Sequence, residues 1–249
     1  MNIALIILAA GKGTRMQSEL PKVLHEVAGA PMLVHAMRAG RALDPKRTII
    51  IAGHGFEAVS AAARAEDPEV EVVRQEAQLG TGHAVDQARA ALSDFDGTVI
   101  VLYGDCPLIQ SRTLEELCAT LSDSAVSVLG FEAKDPARYG RLITDGDKLK
   151  RIVEFKDAST AERAITLCNS GVMAASAELL FELLSEIDTD NASGELYLTD
   201  IISKAVARGL PCAAVRCAEC ETLGVNSRVE LMRAEKEFQN LSRAKALED

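Results

Sequence analysis

The chain has 249 residues, of which 48% are hydrophobic and 4% aromatic, and a formal net charge of -10. That length supports one large domain or two small ones, with Val, Ile, Leu and Ala building the core. The acid excess, 37 Asp and Glu against 27 Lys and Arg, argues against a nucleic-acid binder, which needs a basic face, and no apolar run approaches the ~18 residues of a membrane span.

The chain opens on NIALIILAA, residues 2–10, which reads as a buried strand. It is too short to span a membrane and lacks the basic flank of a signal peptide. Helical spacing follows over 30–43, a strand over 47–53, a helix over 56–65 and a strand over 70–75. A helix over 82–92, a strand over 98–104, a helix over 111–121 and a strand over 124–133 complete the alternation. Near-continuously apolar strands separated by helices predict a mostly parallel central sheet, Rossmann-like, with helices on both faces. The pattern then changes. Residues 140–155 read as a small β-hairpin insertion turning at Asp145-Gly146-Asp147. A short strand at 169–176, helices at 177–187 and 196–209, and a strand at 212–217 follow. From Asn226 a helix runs on, with Leu231, Ala234, Phe238 and Leu241 on one face. No linker or repeat divides the chain, so its domain division is expected to be a unit over 1–226 and a C-terminal helix over 227–249.

Six cysteines (Cys106, Cys118, Cys168, Cys212, Cys217 and Cys220) are too few for a disulfide scaffold of this size, and a reducing cytoplasm is expected. Cys217-Ala218-Glu219-Cys220 resembles half a zinc site without a second pair, and reads as ordinary thiols. His25, His35, His54 and His83 carry no assigned role and read as surface or packing positions.

Gly11-Lys12-Gly13-Thr14-Arg15 follows the first strand. It fails the P-loop pattern, having Ile6 where the first glycine belongs and Gly13 where Ser or Thr belongs. It fails the dinucleotide pattern too, having Met16 at the last position. What remains is a local cluster, Lys12, Arg15 and Lys22 against Glu19, inside an acidic protein. Such a cluster suits a focused anion site, and glycines let backbone N–H groups approach a phosphate. Asp105 ends an apolar strand at the same edge of the sheet, where a carboxylate faces the cleft. Mg²⁺ takes one or two protein carboxylates plus substrate phosphates, so the pair of features suggests phosphoryl or nucleotidyl chemistry.

The segments LAAGKGTRM and LPKVL, QLGTGHAV, YGDCPL, YGRL, IVEFKDA, NSGVM, GELYLTDII and GVNSR together resemble one family, in its order and over essentially the whole chain. It is the uridylyltransferase domain of bacterial bifunctional N-acetylglucosamine-1-phosphate uridylyltransferase / glucosamine-1-phosphate acetyltransferase. The hexapeptide β-helix of that family is not in this sequence, so neither acetyl transfer nor the β-helix trimer is expected, and a monomer is.

The resemblance implies an α/β nucleotidyltransferase joining UTP to N-acetylglucosamine 1-phosphate, giving UDP-N-acetylglucosamine and pyrophosphate, in the cytoplasm, with no nucleic-acid or membrane partner. It places Arg15 and Lys22 on the UTP phosphates and Mg²⁺ between Asp105 and Asn226. Leu8, Ala9, Ala10 and Gly11 match the strand end along the nucleotide, and Gln75, Gly80 and Thr81 the surroundings of the uracil. Tyr103, Gly140, Glu154 and Asn169 match the sugar side, and Gly104 is a further nucleotide- or substrate-binding position. Taken without the family, Asn226 reads as a helix cap, Glu154 as an exposed hairpin residue and Asn169 as a turn residue. Two rivals stand: a transferase for another sugar 1-phosphate or nucleotide, and a catalytically idle nucleotide-sugar binding module.

Overall fold

Strand β1 (Ile3–Ala9) is buried along its whole length. Its side chains alternate between two cores, Ala4, Ile6 and Leu8 facing one and Leu5, Ile7 and Ala9 the other. A strand covered on both faces has no polar side to show, which is why its sequence runs apolar without alternation. The structure is a computed structural model that describes residues 2–146 and 148–248. Asp147 of the expected hairpin turn, and the terminal Met1 and Asp249, lie outside the described residues.

Beyond β1 the chain makes a short hairpin, β2 (Glu26–Val27) and β3 (Ala30–Pro31), then α1 (Met32–Arg41), β4 (Arg47–Ala52), α2 (Phe56–Glu66) and β5 (Glu71–Arg74). Next come α3 (Thr81–Asp86), β6 (Thr98–Tyr103), α4 (Ser111–Ala119), β7 (Val126–Glu132), β8 (Arg141–Asp145) and β9 (Lys148–Val153). The chain closes with α5 (Thr160–Arg163), β10 (Leu167–Ser176), α6 (Ala177–Leu184), α7 (Asp200–Ala207), β11 (Cys212–Cys217) and α8 (Arg228–Glu248). No helix among the described residues is long and apolar enough to cross a membrane.

Nine strands form one sheet in the order β5-β4-β1-β6-β10-β7-β11-β9-β8. The expected parallel portion is β5-β4-β1-β6, with Ile6 opposite both Ile49 and Val101. The sheet departs from the expectation at β10, which runs antiparallel between β6 and β7. Strand direction leaves no mark on a run buried on both faces, so periodicity cannot reveal it. The hairpin β8–β9 forms as expected, with Leu142 opposite Ile152. It continues the main sheet rather than standing apart, since Lys148 pairs with Ala213 of β11 and Arg141 with Cys168 of β10.

Two helices are shorter than their apolar spacing suggests. α3 ends at Asp86 and gives way to turns, although Ala88 and Leu92 remain buried. α7 starts at Asp200, not at 196. The preceding backbone is already engaged: Leu196 N–H donates to Leu79 O and Gly82 N–H to Leu196 O, both at 2.8 Å. Helix α8 lays Ala234, Leu231 and Phe238 on Met16, Val27, Met32 and Val225. All six cysteines are free thiols, and burial pushes that of Cys217 up to about 12.

Candidate active site

The register of β1 on β6 sets Leu8 beside Tyr103. The ladder continues one step further, Gly104 N–H donating to Leu8 O at 3.0 Å. The glycine loop and Asp105 therefore leave the sheet side by side. Gly13 lets the loop fold back over Lys22. It sits at φ +60°, and a Cβ there would lie 2.6 Å from Lys22 Cβ. The Lys22 ammonium forms an ion pair with Asp105 and donates to Asn226 Oδ1 at 3.0 Å. Both charged side chains are largely buried, at 12% and 14% exposure. Asn226 is brought there by the backbone, Val225 N–H donating to Asp105 O at 2.9 Å.

Capping of α8 falls to Ser227 rather than Asn226. Ser227 Oγ accepts from Glu230 N–H at 3.3 Å, and the Glu230 carboxylate reaches back to Asn226 N–H at 2.8 Å. The Asn226 side-chain oxygen is thereby left to the site. Two hard oxygen donors, one carboxylate and one amide, both already facing a cation, fit Mg²⁺ completed by phosphate and water oxygens.

These groups stand at one end of a cleft of about 420 Å³. Leu8, Ala9, Ala10 and Gly11 form its floor, and Gln75, Gly80 and Thr81 its far wall. Gly80 has φ +118°, and a Cβ would lie 2.5 Å from Leu196 O. Only glycine lets this loop pack so tightly on the segment before α7. Sequence reasoning missed Gln78, which donates to Ala10 O at 2.6 Å, and Glu195, which also lines the cleft. It also missed His83, whose Nδ1 lies 3.0 Å from Gln75 Nε2. All three lie in the matched segments QLGTGHAV and GELYLTDII, but residue type alone gave none of them a role.

The residues expected on the sugar side form a second cluster, with Tyr103 also lining the cleft. A Cβ on Gly140 would lie 3.4 Å from Glu154 Oε1 and 3.5 Å from Asn169 Cβ. Glu154 Oε1 accepts from Thr199 Oγ1 at 3.1 Å. Burial raises the Glu154 pKa above the usual carboxylate range, and Asp200 and Asp157 push the same way. Asn169 Oδ1 accepts from Gly171 N–H at 3.0 Å, so its NH₂ group is what it offers a ligand. The Tyr103 hydroxyl is held strongly protonated, burial being the main cause. Arg15 is not brought in: it is exposed on the turn Thr14–Met16 and does not line the cleft.

A glycine loop, a lysine-paired carboxylate and a two-part cleft at one edge of an α/β sheet define a nucleotidyltransferase type of site. Among solved structures the fold is similar to a UDP-glucose pyrophosphorylase complexed with UDP-glucose. The TM-score is 0.77 at 17% identity, covering 96% of this chain and 99% of that one. It is also similar to a nucleotidyl transferase from Methanothermobacter thermautotroptrophicus, with a TM-score of 0.67 at 18% identity and the same coverage. Residues 5–192 match the MobA-like NTP transferase domain, and the chain belongs to that family. Curated relatives include the bifunctional protein GlmU of Ruegeria sp. (strain TM1040), 61% identical over 248 residues, and that of Roseobacter denitrificans, 59% identical over 249. Each match takes in 100% of this chain, which spans 55% of the length of these relatives.

Proposed function

We propose that the chain transfers UMP from UTP to N-acetylglucosamine 1-phosphate, releasing pyrophosphate. The observation that carries this reading is the meeting of Lys22, Asp105 and Asn226 in the cleft lined by the glycine loop. The nucleophile is a phosphate oxygen of the sugar 1-phosphate, already ionised near neutral pH, so no general base is required. It attacks the α-phosphorus of UTP; the bond from that phosphorus to the bridging oxygen breaks, and pyrophosphate leaves with the electron pair. The obstacle is repulsion between two polyanions, which alignment and fixed positive charge overcome.

Asp105 and Asn226 would hold Mg²⁺, which supplies charge neutralisation on the phosphates when bound. Lys22 adds a second positive charge at the same point. Arg15, exposed on its turn, reaches the outer phosphates by movement of the glycine loop. Gln75 reads the uracil edge, while Glu154 and the Asn169 NH₂ bind sugar hydroxyl and acetamido groups. Tyr103 and Gly140 shape the wall between the two halves.

The test is pyrophosphate release across a panel of nucleoside triphosphates and sugar 1-phosphates, with and without Mg²⁺. Release with UTP and N-acetylglucosamine 1-phosphate that a chelator abolishes is the expected result. Equal or better turnover with another pair, or turnover indifferent to the chelator, overturns the reading.

A further inference from the structure

Gln75 is 4% exposed, yet it lines the cleft. Its amide nitrogen faces Gly80 O at 3.4 Å and His83 Nδ1 at 3.0 Å. A backbone carbonyl only accepts, so the NH₂ group must lie on that side. Both amide hydrogens are then engaged within the protein, and Oε1 is the atom left for a ligand. For Gln75 to donate its second hydrogen, His83 Nδ1 must be the unprotonated nitrogen and Nε2 must carry the proton.

The other side of the ring is consistent with one adjustment. Gln87 Nε2 lies 3.2 Å from His83 Nε2 and also donates to the His83 backbone carbonyl at 3.2 Å. A neutral imidazole accepts at one nitrogen only, so both glutamines cannot donate to it. Gln75 is buried and held by Gly80, whereas Gln87 is half-exposed on the turn after α3. Water can satisfy the half-exposed Gln87 amide, so Gln87 is the one that gives up its bond to the His83 carbonyl and turns to accept from Nε2–H.

We propose that His83 is a positioning residue for base choice: its Nδ1 locks the Gln75 amide with Oε1 toward the nucleotide. An acceptor at that place complements the N3–H of uracil and opposes the unprotonated N3 of cytosine. This rests on the reading of Gln75 as the base contact. Removing the lock lets the amide turn over and present a donor, which suits cytosine.

The test compares kcat/KM for UTP and CTP in wild type, His83→Leu and His83→Asn, with folding checked by thermal melting. Asn places an oxygen acceptor two bonds from Cβ, as Nδ1 is. The expected result is a drop of about tenfold in the UTP-to-CTP ratio for His83→Leu, the scale of one reoriented hydrogen bond. It should come from a raised KM for UTP with kcat little changed, and His83→Asn should restore most of the ratio. An unchanged ratio in a folded His83→Leu protein overturns the proposal. So does an Asn variant that is folded yet as unselective as Leu. If His83→Leu does not fold, the Asn variant and Gln87→Leu decide: both must keep the wild-type preference, since each retains an acceptor facing Gln75. A wild type with no preference for UTP would instead refute the proposed substrate, a separate outcome.

Discussion

The Lys22 ammonium lies 3.0 Å from the side-chain oxygen of Asn226, 204 positions later in the chain, while it pairs with Asp105. The proposed metal ion would therefore draw on the same two oxygens as the lysine. Lys22→Ala should bind Mn²⁺ several-fold more tightly than wild type, because a competing charge is gone, yet turn over roughly 10²–10³ times more slowly. Asp105→Asn should lose both Mn²⁺ binding and turnover. Electron paramagnetic resonance of free Mn²⁺ separates the two effects, and weaker Mn²⁺ binding by Lys22→Ala would refute the competition.

Gly171 supports the Tyr103 ring. It has φ +90°, and a Cβ there would lie 2.6 Å from Tyr103 Cε2. Gly171→Ala must therefore shift the ring and strain the backbone, at a cost of about 1–3 kcal/mol. The expected outcome is a lower melting temperature and a KM for the sugar 1-phosphate raised more than that for UTP. Equal effects on both substrates would place Tyr103 elsewhere than at the divide between them.

Glu154 has a pH signature of defined sign. Burial raises its folded pKa above the unfolded value, so the folded state binds the proton more tightly. Between the two values the native state carries more protons, and stability falls as pH rises through that window. The penalty is fully present above the raised pKa and vanishes below the unfolded one. Glu154→Gln should therefore melt higher than wild type at pH 7–8, with the gap closing toward pH 4, while its KM for the sugar 1-phosphate rises. A gap that widens on acidification would reverse the sign.

Much of this was legible from residue type alone. The apolar runs of β1, β4 and β6 mark strands covered on both faces, and Asp145-Gly146 marks the hairpin. What escaped depends on partners distant in the chain. Strand β10 reads the same in either direction, so its antiparallel insertion has no local signature. The start of α7 is delayed because Leu196 is bonded to Leu79 and Gly82. Four-residue α5 is fixed by a capping box, Ser159 with Glu162, too short to show periodicity. In the site, Lys22, Asp105 and the strand-end backbone could be placed by the strand ends and by the charge around them. Asn226, Gln75 and Glu154 could be singled out only through family resemblance; His83 lies in the matched segment QLGTGHAV but gained no role there, since its contact to Gln75 exists only once the loop has closed.

Helix α8 holds the glycine loop from outside the cleft. The Arg228 guanidinium donates to Met16 O and Gln17 O, both at 3.1 Å. Gln17 is a non-glycine residue at φ +49°, a conformation costing about 1 kcal/mol that needs outside support. Glu235 adds a second tie, accepting from Ala28 N–H at 2.6 Å, where Ala28 also has positive φ, +50°. Arg228 is exposed and contributes little to the core, so Arg228→Ala should melt within a few degrees of wild type. It should nonetheless free the loop that carries Lys12 and Arg15, raising the KM for UTP and speeding proteolytic cleavage between residues 11 and 20. The double variant Arg228→Ala, Glu235→Ala should exceed the sum of the two single effects, because either tie alone still restrains one side of the same loop and hairpin. Strict additivity in KM would mean that the two contacts act on independent segments, and α8 would then be packing on the domain without ordering its site.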